Sequence, residues 1–186
     1  MARKKTFQIF REAKKSGPYD ERPMLPDTID VQVHVSRNDR PQPFFLICEK
    51  DTLIAQVAGE GHVEFKDTAV ARFALAPGDY VYVPAGAPHR LVPEGESVNL
   101  RYKAAQAGLE GIAWYCETCG GEVYRDIWDT AVTLPQEGYL ATVRRFNGDA
   151  ALRACAGCGA EHPEIDLEPY RWEALAADIR AESASA

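Results

Sequence analysis

The chain has 186 residues, 46% of them hydrophobic and 26% charged, with a formal net charge of -7. That length admits one full core, or a main unit with a small metal-stapled appendage, and the acidic balance excludes electrostatic attraction to nucleic acid or to an anionic membrane. No apolar run approaches the roughly 18 residues of a membrane span, and the basic start MARKKTFQIFREAKK lacks the apolar centre of a leader, so a cytoplasmic protein is expected.

In chain order, Phe7 to Lys15 predicts a short helix that stops at Ser16-Gly17-Pro18. A proline-rich irregular segment follows to Asp27. From Thr28 the texture becomes IDVQVHV, FFLICE, TLIAQVAG, HVEFKD, AVARFAL, DYVYVP, HRLVP and SVNLRYK, short strands separated by Gly, Pro, Asn and Asp. Closely spaced strands without crossover helices predict an all-β fold, a closed or sandwiched antiparallel sheet. A break is expected between Lys103 and Gly111. Beyond it, WYCETCGGEVYRD and ALRACAGCGAEHPEID bracket a polar segment, and LEPYRWEALAADIRAE predicts a terminal helix.

Cys116, Cys119, Cys155 and Cys158 form two C-x-x-C pairs, each followed by glycine. The spacing lets both sulfurs of a pair reach one ion, and glycine permits the tight turn after the second thiolate. All four positions being filled, a structural zinc or iron is expected; thiolate ligation does not choose between them. Cys48 is left over.

The stretch GDYVYVPAGAPH, with Gly78, Pro84, Gly86 and His89, resembles the second motif of the cupin superfamily. Gly78 and Asp79 would turn into a strand, Pro84 and Gly86 would shape the next turn, and His89 would open a strand facing the barrel interior. Taken with AGLEGIAWYCETCGGEVYR and CAGCGAEHP, almost the whole chain resembles the bacterial 3-hydroxyanthranilate 3,4-dioxygenase family. The resemblance implies a cupin (jelly-roll) barrel with an N-terminal helix over residues 1–110, a rubredoxin-like extension over 111–186, and a homodimer formed through barrel strands. It also implies ring opening at a ferrous ion held by His, Glu and His, with arginines gripping the substrate carboxylate.

On the same matching, the first metal histidine falls at Leu46 and the metal glutamate at Thr52, leaving His89. One histidine does not hold a facial iron site, so a catalytic iron is unsupported unless other residues, such as Glu49 or Asp51 after a register slip, rearrange around it. The family's acidic residue falls at Arg101. With Arg37 or Arg40 from a nearby loop, Arg101 is expected to bind a small aromatic or related carboxylate. Cys48 shares the strand face of Leu46, and if it faced His89 across the barrel the imidazole would lower its pKa and activate a nucleophile. Three functions stand at this point: a non-oxidative, metal-free reaction using His89 and Cys48; a ligand-binding cupin without turnover; and ring cleavage by iron with rearranged ligands.

Overall fold

A computed structural model describes residues 10, 13–24 and 30–184. The helix expected over Phe7 to Lys15 lies largely outside them. Among the described residues, eleven strands, β1 (Arg22–Pro23), β2 (Val31–Asn38), β3 (Phe45–Cys48), β4 (Thr52–Ala58), β5 (Gly61–Phe65), β6 (Arg72–Leu75), β7 (Tyr80–Val83), β8 (His89–Pro93), β9 (Ser97–Ala104), β10 (Leu109–Tyr115) and β11 (Glu122–Asp129), are followed by three helices. These are α1 (Pro135–Gly148), α2 (Ala150–Arg153) and α3 (Trp172–Ala184). The strands form two antiparallel sheets, ordered β1-β2-β9-β4-β7 and β11-β10-β3-β8-β5-β6, the sandwiched arrangement expected from the strand spacing and the jelly roll implied by the cupin resemblance.

The five-stranded sheet inverts the usual burial rule. Its inner face carries Gln32, His34, Ser36 and Asn38 of β2, Asn99, Arg101 and Lys103 of β9, and Gln56 of β4. Its outer face carries Val35 and Val98, which are covered by Ala13 and Met24 of the N-terminal segment. The buried polar groups are tied together: Asn38 donates to Ser36 and Asn99, and Asn99 donates to Gln56. The apolar part of the interior is filled by Ile54, Val63, Phe65, Leu91 and their neighbours.

Two elements differ from the sequence expectation. The break near Lys103 to Gly111 is only a short loop, and Leu109–Tyr115 is a strand paired with both β3 and β11. Residues 110–114 are all buried, so this strand shows no polar alternation to betray it. The polar segment between the cysteine pairs contains α1, whose Tyr139, Val143 and Phe146 form a buried stripe at i, i+4 and i+7. That stripe shares one core with Leu46, Cys48, Ile112 and Trp172, with Phe146 stacked on Trp114 at 4.0 Å between centroids.

Candidate active site in the barrel and the cysteine cluster

The turn before β8 is anchored to β3, because Gly86 N–H donates to the Cys48 carbonyl at 2.8 Å. This sets His89 beside Leu46 on one side and Phe65 on the other, with its ring fully buried. Nδ1 lies 3.0 Å from the Ala87 carbonyl oxygen and therefore carries the proton, which leaves Nε2 as an acceptor. Facing Nε2 at 2.5 Å is Nη1 of Arg101. Burial, and then the guanidinium, push the His89 pKa down to about 3, so the imidazole is neutral at ordinary pH.

Arg101 opens a buried ion network. Its Nε is 2.6 Å from Glu21 Oε1, and Glu21 Oε2 is 3.0 Å from Lys103 Nζ, which in turn reaches Glu110 Oε1 at 2.9 Å. Tyr139 Oη donates to Glu21 Oε2 at 3.0 Å, joining α1 to the barrel. Burial opposes ionisation of Glu21, but Lys103 and Arg101 outweigh it and hold the carboxyl well below the usual range. Two acids and two bases balance, the condition under which charges are tolerated inside a protein. Polar atoms of this interior that lack a partner include Arg101 Nη2, Thr52 Oγ1 and Glu110 Oε2. Thr52 shares the inner face of β4 with Ile54, the residue paired with Arg101.

Cys48 lies on the same sheet and face as His89, one strand away, since β3 and β8 are neighbours; it does not face His89 across the barrel. The expected activation of its thiol by imidazole is corrected by the surroundings. Burial dominates and pushes the pKa up to about 12, with Lys103 only partly offsetting it. Arg37 and Arg40 do not join Arg101. Both are exposed, Arg37 paired with Glu96 and Arg40 with Asp39.

The four remaining cysteines converge, with all four sulfurs within 4.8 Å of one another. The two pairs are built alike. Cys116 N–H donates to Gly121 O and Gly120 N–H to Cys116 O, as Cys155 N–H donates to Ala160 O and Gly159 N–H to Cys155 O. Gly120 and Gly159 sit at φ of 75° and 74°, a region that a side chain resists. Amides of Cys119 and Thr118 aimed at Cys116 bring its thiol down to about 6. Preformed sulfurs with amide donors around them fit a thiolate-bound metal ion.

No protein-family model matches the chain. Among curated relatives, the 3-hydroxyanthranilate 3,4-dioxygenase of Bacillus cereus (strain 03BB102) is 27% identical over 135 residues, covering 69% of this chain and 73% of that protein. The Brucella anthropi protein of the same name is 31% identical over 129 residues, covering 64% of this chain and 68% of that protein. The chain belongs to the 3-hydroxyanthranilate 3,4-dioxygenase family. A cupin-2 domain protein from Shewanella frigidimarina aligns with a TM-score of 0.46 at 13% identity, over 53% of this chain and 94% of that one.

Within this dioxygenase family the chain is a divergent cupin, and its barrel donors do not fit a ferrous ion. Leu46 offers no donor atom, Thr52 offers a neutral hydroxyl, and the free lone pair of His89 already accepts from Arg101. The alternative ligands do not converge either. Glu49 accepts from Leu109 N–H, Asp51 from Ala85 N–H, and His62 lies between Glu64 and Arg72. Among the described residues, the four cysteines are the one group of metal-ligating side chains whose donor atoms converge.

Glu21, Lys103 and Glu110 escaped the sequence reading, although Lys103 carries a signal, sharing the parity of Arg101 in SVNLRYKA. The network reaches the surface through a cleft of about 150 Å3 lined by Glu21, His34, Lys103 and Glu110.

Proposed function

We propose that this chain is a ligand-binding cupin that takes a small aromatic carboxylate in its barrel and does not carry out ferrous ring cleavage. The observation that carries this reading is the 2.5 Å contact between His89 Nε2 and Arg101 Nη1, with Nη2 of the same guanidinium left unpartnered. The imidazole atom that would face a metal instead orients a fixed cation, and that cation keeps one buried donor for an incoming oxygen. A buried guanidinium donor is a strong site for a carboxylate because charge-assisted hydrogen bonds gain most where water is excluded. The curated relatives are named for action on 3-hydroxyanthranilate, a ring bearing a carboxylate, which sets the ligand class. Lys103, two residues from Arg101, adds a second positive charge on the way in from the cleft.

In this reading His89 is a positioning residue. A pKa near 3 makes it a poor proton acceptor, and a thiol pushed up to about 12 makes Cys48 a packing residue with little thiolate at neutral pH. The metal-free reaction expected from His89 and Cys48 therefore has less support than binding alone. The four-cysteine cluster holds one structural zinc or iron that fastens the two knuckles together.

The test is calorimetric titration of 3-hydroxyanthranilate into the full chain under anaerobic, chelator-treated conditions, followed by oxygen-uptake assays with ferrous ion added. Saturable binding abolished by Arg101→Met, with no product formed, supports the reading. Ferrous-dependent oxygen uptake overturns it in favour of ring cleavage, and metal-independent product formation overturns it in favour of catalysis.

A further inference from the structure

A cavity of about 360 Å3 lies between the barrel and the first cysteine knuckle. Its barrel wall includes Phe45, Glu64 and Arg90, which alternate with Leu46, Phe65 and His89 and so belong to the opposite sheet face from the interior site. Its other wall includes Tyr115, Glu117 and His162.

The charges here are uneven. Arg90 Nε bonds Glu64 Oε2 at 2.6 Å, and Glu64 Oε1 reaches His62, which contacts Arg72 Nη2 at 2.9 Å. One carboxylate thus serves two guanidiniums on that wall. Lys66 adds a third cation and has no carboxylate partner among the described residues. Its Nζ sits 5.5 Å from the Phe45 centroid and 5.3 Å from that of Tyr115, while Arg90 Cζ sits 4.8 Å from the same Phe45 ring. Two cations gathered on one neutral ring repel each other, and the ring quadrupole returns only part of that cost. Arg90 commits Nε to Glu64, which leaves its two Nη groups for a bidentate grip.

We infer that this cavity is a second binding site, for a small aromatic carboxylate. The carboxylate is held by Lys66 and the Arg90 Nη groups, and the ring lies against Phe45 and Tyr115, themselves edge-to-face at 5.2 Å. The groups that grip the ligand here, Lys66, Arg90, Phe45 and Tyr115, are distinct from those of the Arg101 site, and the inference stands whether or not the interior binds anything.

The probe is benzoate, titrated into the full zinc-loaded chain and followed by amide chemical shifts. The expected result is a saturable response at Lys66, Arg90 and Tyr115 with affinity in the millimolar range, weakened about tenfold in Lys66→Gln. Glu117→Gln removes the carboxylate of the far wall and is expected to tighten binding about threefold, a gain that misfolding does not produce. Cyclohexanecarboxylate is expected to bind more weakly than benzoate. The inference is overturned by shifts confined to interior residues, by no response up to about 10 mM benzoate, by a Lys66→Gln affinity within about twofold of the original, or by equal binding of the saturated ring.

Discussion

Arg101→Met isolates the charge at the centre of the barrel. The substitution keeps an unbranched apolar stem and removes the guanidinium, leaving Glu21 and Glu110 to share Lys103, an interior with two negative charges and one positive. Removing one partner of a buried ion pair costs about 3–5 kcal/mol, because the remaining charge stays desolvated. Both side chains are at most 4% exposed, so solvent does not screen the loss. At about 2–4 °C per kcal/mol for a chain of this size, the melting temperature should fall by roughly 6–20 °C. Urea unfolding followed by tryptophan fluorescence measures the loss directly. The double variant Arg101→Met/Glu21→Gln returns the interior to one acid and one base, and its coupling energy should recover about 1–3 kcal/mol. A single-variant loss under about 1 kcal/mol, or a double variant no better than the sum of its parts, refutes the claim that the network is a balanced set of buried charges.

Other expectations follow from the same geometry. His89 has a folded pKa near 3 against an ordinary value of 6.5, so the unfolded chain takes up the proton first as acidity rises. Its contribution is complete above about pH 6.5 and is lost at about 1.4 kcal/mol per unit as pH falls toward 3; native protein should lose roughly 2 kcal/mol more than His89→Gln between pH 6.5 and 4.5, by urea midpoints. Cys48→Ala should leave 3-hydroxyanthranilate binding unchanged and cost about 1–2 kcal/mol in packing, and a binding loss beyond threefold at about twofold experimental scatter would show a direct ligand contact. Chelation of the ion held by the four cysteines should expose the amides around residues 116–121 and 155–160 to hydrogen exchange while those of β8 and β9 stay protected; simultaneous loss of both would show that the metal holds the barrel as well.

The barrel was legible because Gly78, Pro84, Gly86 and His89 punctuate strands whose side chains alternate, and the cysteine cluster because two C-x-x-C-G units report local geometry. What stayed hidden was long-range. Glu21 sits in an irregular segment without periodicity, yet it bonds Arg101 and Lys103, some 80 positions away in the chain. Sequence gives no measure of how completely a thiol is desolvated, so Cys48 read as a nucleophile. The first residues of the strand Leu109–Tyr115, up to Gly111, read as part of a break because both faces of the strand are covered. Arg37 and Arg40 read as ligand grips from proximity in sequence, whereas their strand and loop send them to the surface, where Glu96 and Asp39 neutralise them.

The guanidinium beside His89 Nε2 is encoded by the gene, whereas an ion would have to be captured from the cell. It neither dissociates into a chelator nor changes oxidation state, and it stays protonated at every pH the fold survives. On the proposed binding reading, the charged centre of this barrel is complete on synthesis and waits for no captured ion.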